Sequence, residues 1–293
     1  MADIAFCAWN EFQVRHFRPL LDAMPDAVLM VERRANAGTI DLRGLNVVPF
    51  DPRSHRVVVA QTRFAGMESV KRLALLQYGY AKGAHNWGDW RRGSVTLTYG
   101  RHATQRLRGV CETRETGNPA YDGLAAGSGG GVLYAPTWGP LSSLDTHLNA
   151  VAALANELPV TIKAHHLTEL KERDRWAALK RSGVKVCGAG DGLLPLICAA
   201  DVVISDYSGA IFDAVWFRKP VVLTDGAVQM GGKLDAGSIE VARREEIGAT
   251  VSPGGLRAAV RAAMFTADAL RRDLFNGAPG ATQRAVAAIR EMV

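Results

Sequence analysis

The sequence predicts a doubly wound α/β fold in two Rossmann-like domains that face each other across a cleft. Short apolar segments alternate with helical periodicity along nearly all of the 293 residues. These segments are β-branched, continuously apolar and bounded by Gly, Pro or Asp, which is typical of parallel strands buried on both faces. The chain is also longer than one hydrophobic core usually supports, so two domains are expected.

Ten strands are predicted, five in each half of the chain. In order they are IAFCAW, AVLMVE, RVVVAQ, LALLQYG and SVTLTYG, then GVLYAPTW, VTIKAHH, VKVCGAG, DVVISDY and PVVLTD. After the first strand, four apolar residues share one face of a helix: Phe17, Leu20, Leu21 and Met24. The last helix carries a similar stripe: Val286, Ile289 and Val293. This order of strands and helices predicts parallel sheets with helices on both faces.

The boundary between the domains is predicted at LAAGSGGG, residues 124–131. A Gly/Ser/Ala segment of this kind does not easily form core and is typical of a flexible connector. The predicted domains are therefore 1–126 and 127–293, with C-terminal helices that can pack back on the first domain. Two such domains would place the carboxyl ends of both sheets at a shared ligand site.

Composition narrows the class of protein. The four cysteines show no CxxC or CxxH spacing, so neither a disulfide framework nor a zinc site is indicated. No apolar segment approaches the ~20 residues of a membrane span, and the start, MADIAFCAWNEF, lacks the features of a secretion signal. No acidic cluster suggests a divalent ion, and GAGDGLL, with Leu193 at the third glycine position, does not support a nicotinamide dinucleotide site. We expect a cytoplasmic protein without a metal or cofactor.

Positive charge is concentrated in residues 61–110. This stretch holds nine basic and two acidic residues, a net charge of +7 against +6 for the whole chain. It is either an ordinary solvated surface or a patch that attracts a polyanion or an anionic membrane face. Nucleic acid is less favoured, because no recognised nucleic-acid motif accompanies the charge.

The sequence DYSG follows the predicted strand DVVIS and precedes a helical segment. Asp206 or Ser208 can cap that helix, and the backbone N–H groups of Ser208, Gly209 and Ala210 would then form an anion site at the positive end of the helix dipole. Gly209 would let a phosphate approach the backbone closely. A plain helix cap is the alternative interpretation, and from this stretch alone it is the more common one.

Three segments in order carry a family resemblance: YAPTWG (134–139), IKAHH (162–166) and the long segment from DGLLPLI to VVLTD (191–225). Together they resemble the CDP-glycerol glycerophosphotransferases, which build teichoic-acid-type polymers of the cell envelope. Members carry YAPTWR, a KxHP-like element and an LL…DYSSxxFD…kP…D run. The resemblance covers about residues 132–225 and implies a two-domain fold of the GT-B type, with the acceptor on the first domain.

The resemblance implies a set of donor-binding residues and a catalytic one. Ser208 with its neighbouring amides would hold the diphosphate, Asp206 and Asp213 would shape that loop, and His165 would act as an acid or phosphate ligand. The donor-binding candidates are Lys163, Thr137, Asp206, Tyr207, Ser208, Gly209, Ala210 and Asp213. If the strand continues to His165, Lys163 points to the same side and His166 to the other.

The sequence departs from the family pattern at four places. Gly139 stands for the YAPTWR arginine, Gly209 for the second serine of DYSS, and His166 for the KxHP proline. In the first domain, Gln77-Tyr78-Gly79 occupies the place of a Trp-His-Gly element, so its histidine is missing. Tyr78, with an ordinary pKa near 10, would be a poor base. His16 and His85 are the candidate replacements, and either can instead be a packing or surface histidine.

The expected function is a GT-B transferase that moves a glycerophosphate-type group from a CDP-activated donor to an acceptor hydroxyl and releases CMP. Such a reaction needs positioning and charge stabilisation more than covalent chemistry. The alternatives are a nucleotide-sugar glycosyltransferase, a sugar-nucleotide 2-epimerase, or a nucleotide-binding protein with weakened catalysis. The acceptor can be polyanionic or lipid-linked, and residues 61–110 would then bring the protein to the inner membrane face.

Overall fold

The structure is a computed structural model of the chain, and it describes residues 2–34, 40–81, 93–226 and 234–293. The described residues form two compact units. The first contains residues 2–34, 40–78, 93–123 and 272–293, and the second contains residues 79–81, 124–226 and 234–271. The predicted roles of the two halves, as the acceptor and the donor domain, stay predictions.

The first unit is built on a sheet of seven parallel strands in the order β3-β2-β1-β4-β5-β6-β7. These strands are β1 (Ile4–Ala8), β2 (Val28–Val31), β3 (Val47–Val48), β4 (Val57–Ala60), β5 (Leu73–Leu76), β6 (Val95–Thr98) and β7 (Thr113–Glu115). The central strands are buried along their whole length, as continuous apolar segments require.

The second unit is built on a sheet of six parallel strands in the order β10-β9-β8-β11-β12-β13. These strands are β8 (Val132–Tyr134), β9 (Val160–Lys163), β10 (Lys185–Cys187), β11 (Val202–Ser205), β12 (Val221–Thr224) and β13 (Ala249–Val251). Residues of β8, β9, β11 and β12 pack against residues of the covering helices in one hydrophobic core. Two parallel sheets with interleaved helices confirm the predicted α/β class.

Helices connect the strands in both units. They are α1 (Glu11–Ala23), α2 (Arg101–Arg106), α3 (Leu144–Leu154), α4 (His166–Lys171), α5 (Arg173–Arg181), α6 (Leu193–Ala199), α7 (Ala210–Trp216), α8 (Ile239–Ala242), α9 (Arg244–Ile247), α10 (Leu256–Ala262), α11 (Asp268–Leu274) and α12 (Ala281–Arg290). Short 3₁₀ turns lie at Pro52–Ser54, Met67–Ser69, Pro119–Tyr121, Gly139–Leu141 and Pro253–Gly255. Across the described residues, no helix combines the length and the apolar character that crossing a bilayer requires.

Helix α1 shows how the sequence sets these elements. The Asn10 side chain accepts a hydrogen bond from the Gln13 N–H at 2.9 Å, and the Gln13 side chain accepts one from the Trp9 N–H at 2.9 Å. This reciprocal pair satisfies N–H groups that a helix start otherwise leaves without partners. The predicted apolar stripe of this helix, Phe17, Leu20, Leu21 and Met24, is buried.

The connector 124–131 differs from the flexible segment that its composition predicts. The Asp201 carboxylate accepts hydrogen bonds from the N–H groups of Gly129 and Gly131, and the Lys219 ammonium donates to the Gly127 carbonyl. At Gly130 a Cβ atom would lie 2.4 Å from the Ala199 carbonyl oxygen. The glycines therefore allow close backbone packing against the neighbouring chain, and several of them are held by hydrogen bonds.

Candidate functional site

The carboxyl ends of β8 and β11 form the centre of the candidate site in the second unit. These two strands are neighbours, and the chain leaves them toward opposite edges of the sheet, to β9 and to β12. This is the topological switch point, where open α/β sheets bind their ligands. Thr137 follows β8 and Asp206 follows β11, so the structure brings together two residues that are 69 positions apart.

Asp206 holds the two loops at this point together. Its carboxylate is fully buried and accepts hydrogen bonds from the Thr137 N–H at 2.8 Å, the Ser143 N–H at 2.8 Å and the Ser143 hydroxyl at 3.0 Å. Burial raises the pKa of Asp206, and these hydrogen bonds act in the opposite direction. Each carboxylate oxygen already accepts a bond from the protein, so the side chain shapes the loop that the resemblance assigned to it.

The predicted phosphate loop follows Asp206. β11 ends at Ser205 and α7 begins at Ala210, so the segment 206–209 is the turn between them. The Ala210 N–H, one of the three predicted donors, already points to the Ser208 hydroxyl at 3.3 Å. The N–H groups of Ser208 and Gly209 have no hydrogen-bond acceptor among the described residues. A Cβ atom at Gly209 would have open space around it, because no atom lies within 4 Å.

Arg244 contacts this turn, and no pattern in the sequence points to it. Its guanidinium donates to the Asp206 carbonyl at 3.1 Å, to the Thr224 carbonyl at 2.7 Å and to the Thr250 hydroxyl at 3.1 Å. It also stacks 4.2 Å from the centre of the Tyr207 ring. Burial lowers the pKa of this group, while nearby acids, Asp206 among them, favour its charge. Tyr207 is thus buried against Arg244, which is a packing role.

His165 lies where β9 gives way to α4. Its Nδ1 atom accepts a hydrogen bond from the Leu167 N–H at 3.2 Å, so the ring caps the helix. With Nδ1 used as an acceptor, a neutral ring carries its proton on Nε2. The ring stacks on His166 with centroids 4.3 Å apart and on Trp138 with centroids 6.0 Å apart.

The predicted strand alternation does not extend beyond Lys163. β9 ends at Lys163, and the stacked rings of His165 and His166 lie side by side instead of on opposite faces. Lys163 is buried, and its ammonium donates to the Ala164 carbonyl at 2.9 Å and to the Gly188 carbonyl at 2.8 Å. Burial lowers the pKa of His166 to about 4, and the charges of Lys163 and Lys171 add to this effect.

The turn after Thr137 contains a second arginine that the sequence did not point to. Gly139, which stands for the family arginine, has φ of +73°, a value that favours glycine. The Arg175 guanidinium donates to the Gly139 carbonyl at 2.8 Å and pairs with Asp145 at 2.6 Å. The Gly139 N–H donates to Glu172 at 3.1 Å. An arginine from α5 therefore contacts the turn in which the family arginine is missing.

The remaining predicted residues are dispersed. Asp213 is half-buried in the first turn of α7, where a helix dipole favours an acid. His16 and Tyr78 lie in the first unit, where burial lowers the pKa of His16 to about 4 and raises that of Tyr78 to about 12. His85 lies outside the described residues. In the described part of the chain, no group of three His, Cys, Asp or Glu side chains could hold a metal ion.

Solved structures of the same fold include transferases and epimerases. The wall teichoic acid polymerase TagF superimposes with a TM-score of 0.70 at 14% identity, over 99% of this chain and 88% of that chain. A TagF variant soaked with CDPG gives a TM-score of 0.66 at 13% identity, over 99% and 88%. The UDP-GlcNAc 2-epimerase of Methanocaldococcus jannaschii gives 0.61 at 13% identity, over 98% and 99%. The predicted GT-B fold class is therefore confirmed.

The family comparison covers the segment that contains the candidate site. No curated protein sequence matches the chain. Residues 115–225 match the family described as CDP-glycerol:poly(glycerophosphate) glycerophosphotransferase. This range includes the β8 and β11 loops, His165 and the turn at Gly209. Residues 115–225 thus match the CDP-glycerol glycerophosphotransferase family on a chain with the GT-B fold, and the predicted resemblance to this family of transferases is confirmed over that segment.

Proposed function

We propose that the protein transfers a glycerophosphate-type group from a CDP-linked donor to an acceptor hydroxyl and releases CMP. The family match over 115–225 carries this proposal, because it includes the whole loop system at the β8–β11 switch point. The acceptor oxygen forms a bond to the phosphorus that bears glycerol, and the bond from that phosphorus to the bridging oxygen of CMP breaks. The acceptor proton is released, so atoms and charge balance.

The donor diphosphate is proposed to bind at the turn 206–209. Among the described residues, the Ser208 and Gly209 N–H groups have no acceptor, the space at Gly209 is open, and α7 begins directly behind them. Asp206 and Arg244 hold this turn from the core side. Thr137, Tyr207 and Asp213 then act by shaping the loop, and Lys163 acts by holding the turn after β10.

His165 is proposed as the proton donor or phosphate ligand. Its Nδ1 atom accepts the helix-cap hydrogen bond, so Nε2 is the nitrogen proposed to donate to a phosphate oxygen. A positioned imidazole of this kind can protonate a leaving phosphate or hydrogen-bond to the reacting one. The predicted catalytic roles of His16 and His85 are part of the same proposal on the acceptor side.

CMP release tests the reaction. The protein is incubated with CDP-glycerol and a short poly(glycerophosphate) acceptor, and the nucleotide product is identified by chromatography. We expect CMP, formed only when the acceptor is present. Release of UDP from a UDP-sugar would instead support a glycosyltransferase, and 2-epimerisation of UDP-GlcNAc would support an epimerase. Donor binding without any product would support a binding protein.

A glycine substitution tests the donor site. In Gly209→Val, the new side chain enters open space, so the fold should tolerate it while close approach of a phosphate to the backbone is blocked. We expect a thermal stability close to wild type and a loss of affinity for CDP-glycerol of about tenfold or more. Gly254→Val is the matched control, because Gly254 also has open space and lies in the same unit. Equal donor affinity in both variants would reject the site.

Association with an anionic membrane face is also part of the proposal, with the protein working in the cytoplasm. The exposed basic residues of the stretch that the structure describes are Arg63, Lys71, Arg72, Arg101, Arg106 and Arg108. Lys82, Arg91 and Arg92 lie outside the described residues. The acceptor, polyanionic or lipid-linked, would be attracted by the same charge.

A further inference from the structure

The first sheet has its own switch point, between β1 and β4. These strands are neighbours, and the chain continues from β1 to β2 on one side and from β4 to β5 on the other. The loops after β1 and β4 therefore meet at the place where open α/β sheets bind ligands. The Trp9 indole N–H donates to the Thr62 hydroxyl at 3.0 Å, which joins the two loops.

Five buried side chains near this switch point are polar and carry no formal charge. They are three glutamines, a histidine and a tyrosine, each at most 6% exposed: Gln13, His16, Gln61, Gln77 and Tyr99. Burial lowers the pKa of His16 to about 4, so its ring is neutral at pH 7. A cluster without net charge gives little attraction to a phosphate, but it suits a ligand group that only forms hydrogen bonds.

Hydrogen bonds fix which nitrogen of His16 carries the proton. The Gln61 Nε2 atom lies 3.2 Å from the Gln77 carbonyl oxygen, which can only accept, so the Gln61 amide must present its NH₂ group there. The same Nε2 atom lies 3.2 Å from the His16 Nδ1 atom, which is therefore the acceptor. The proton of the neutral ring is therefore on Nε2, and this atom is the N–H donor of His16.

This orientation leaves the Gln61 carbonyl oxygen without a partner. Gln61 is 2% exposed, and its Oε1 atom accepts no hydrogen bond from any described residue. A buried acceptor without a donor costs roughly 1–3 kcal/mol, so its presence requires an explanation. The amide cannot turn over to relieve this cost, because its oxygen would then face the Gln77 carbonyl oxygen.

We propose that the β1–β4 switch point of the first unit binds a hydroxyl group of the acceptor, with Gln61 Oε1 accepting its proton in a hydrogen bond and His16 Nε2–H donating to the acceptor molecule. A hydroxyl both donates and accepts, which matches one orphaned acceptor and one N–H donor. The ligand class is a polyol end with free hydroxyls. The assignment rests on the proposed transfer reaction, and it places Gln61 and His16 in direct contact with the acceptor.

Histidine nitrogen NMR tests the site without requiring turnover. In ¹⁵N-histidine-labelled protein at pH 7.5, we expect His16 to show a protonated Nε2 and an unprotonated Nδ1. Addition of a short poly(glycerophosphate) with free terminal hydroxyls should shift the His16 Nε2 signal, and the same oligomer with methylated terminal hydroxyls should not. No shift, or equal shifts with both oligomers, would mean that Gln61 Oε1 is satisfied by water and would overturn the proposal.

A matched pair of variants tests the kinetic consequence. Gln61→Met removes the acceptor with little change of volume, and it should raise the KM for the oligomer about five- to tenfold while the KM for CDP-glycerol stays unchanged. Gln105→Met makes the same change on exposed helix α2 and should behave as wild type. Equal effects on both substrates would overturn the assignment. If CDP-glycerol gives no CMP, the transfer reaction fails alone, and the NMR shift still decides this site.

Discussion

His165 caps a helix in the structure and has a chemical role in the proposed reaction. Nδ1 caps α4, so in the proposed reaction the phosphate would be contacted through Nε2. The stack on His166 and Trp138 adds further contacts that orient the ring. A test of His165 therefore has to compare variants that separate the loss of the helix cap from the loss of the proton-transfer group.

Two substitutions of His165 make that separation. His165→Ala should lower turnover of CDP-glycerol by roughly two to four orders of magnitude, the usual contribution of a positioned proton-transfer group. His165→Asn retains a good N-cap residue, so it should keep the wild-type thermal stability but show the same loss of turnover. The KM for the donor should change little in either variant. An active Asn variant would assign the histidine to the cap alone.

His16 should make the stability of the protein depend on pH. Its pKa is about 4 in the folded protein and near 6.5 when unfolded, so between these values the unfolded chain binds a proton that the folded one does not. Stability is therefore complete above pH 6.5 and is lost as the pH falls toward 4. The loss between pH 7 and pH 4.5 amounts to roughly 2–3 kcal/mol.

Urea unfolding at pH 7 and pH 4.5 measures this contribution. In His16→Gln the difference between the two pH values should shrink by about the same amount, roughly 2–3 kcal/mol. His102→Gln removes an imidazole that contacts Asp273 in the same unit, and it should leave the His16 contribution in place. A wild-type pH dependence in His16→Gln would show that His16 can be protonated in the folded state at no cost.

At the scale of the elements, the site is a set of loops held by buried carboxylate and guanidinium groups. Asp206 bonds the loop after β8, Arg244 bonds the ends of β11 and β12, and Arg175 bonds the turn at Gly139. None of these contacts needs a ligand. The loops are therefore positioned before a donor binds, which favours catalysis by preorganised groups.

Asp206→Asn tests how much the loop depends on its carboxylate. One Asn amide group would face the N–H of Thr137 or of Ser143, donor against donor in a buried position. We expect a loss of about 2–4 kcal/mol in the free energy of unfolding. Asp201→Asn makes the same change at an exposed acid that also accepts two backbone N–H groups, and it should cost less than about 1 kcal/mol. Equal losses would show that burial of Asp206 does not decide its role.

Nine of the ten strands that the sequence predicts are largely buried, and the tenth, β10, lies at the edge of its sheet. All ten continuous apolar segments are strands in the structure, and three further strands were missed: β3 (Val47–Val48), β7 (Thr113–Glu115) and β13 (Ala249–Val251). Each of the missed strands is two or three residues long and lies at the edge of a sheet. An edge strand pairs with a neighbouring strand on one side only and is less buried, so its residues need not be apolar and carry little periodic signal.

At the scale of the whole molecule, the candidate sites follow from topology. The order of the strands reverses once in each sheet, and polar residues collect at those two switch points. They are Asp206 with Thr137 in the second unit and Gln61 with His16 in the first. Strand ends could be read from the sequence, so Thr137 and Asp206 were predicted. Arg244 and Gln61 could not be, because the first enters from a helix 38 residues beyond Asp206 and the second is defined by an unsatisfied atom.

Charge distribution over the whole molecule gives the last prediction. The stretch 61–110 carries +7 within a chain of +6, so the other residues nearly cancel and we expect long-range attraction to an anionic surface to come from this region. The protein should sediment with vesicles that contain anionic lipid, and raising the salt concentration should weaken this binding as the charges are screened. Lys71→Glu with Arg108→Glu should reduce binding strongly, whereas Arg181→Glu with Lys185→Glu, the same change of charge on exposed residues of the second unit, should reduce it much less. Equal reductions would mean that net charge alone governs the attraction, and binding that salt leaves unchanged would remove the electrostatic explanation.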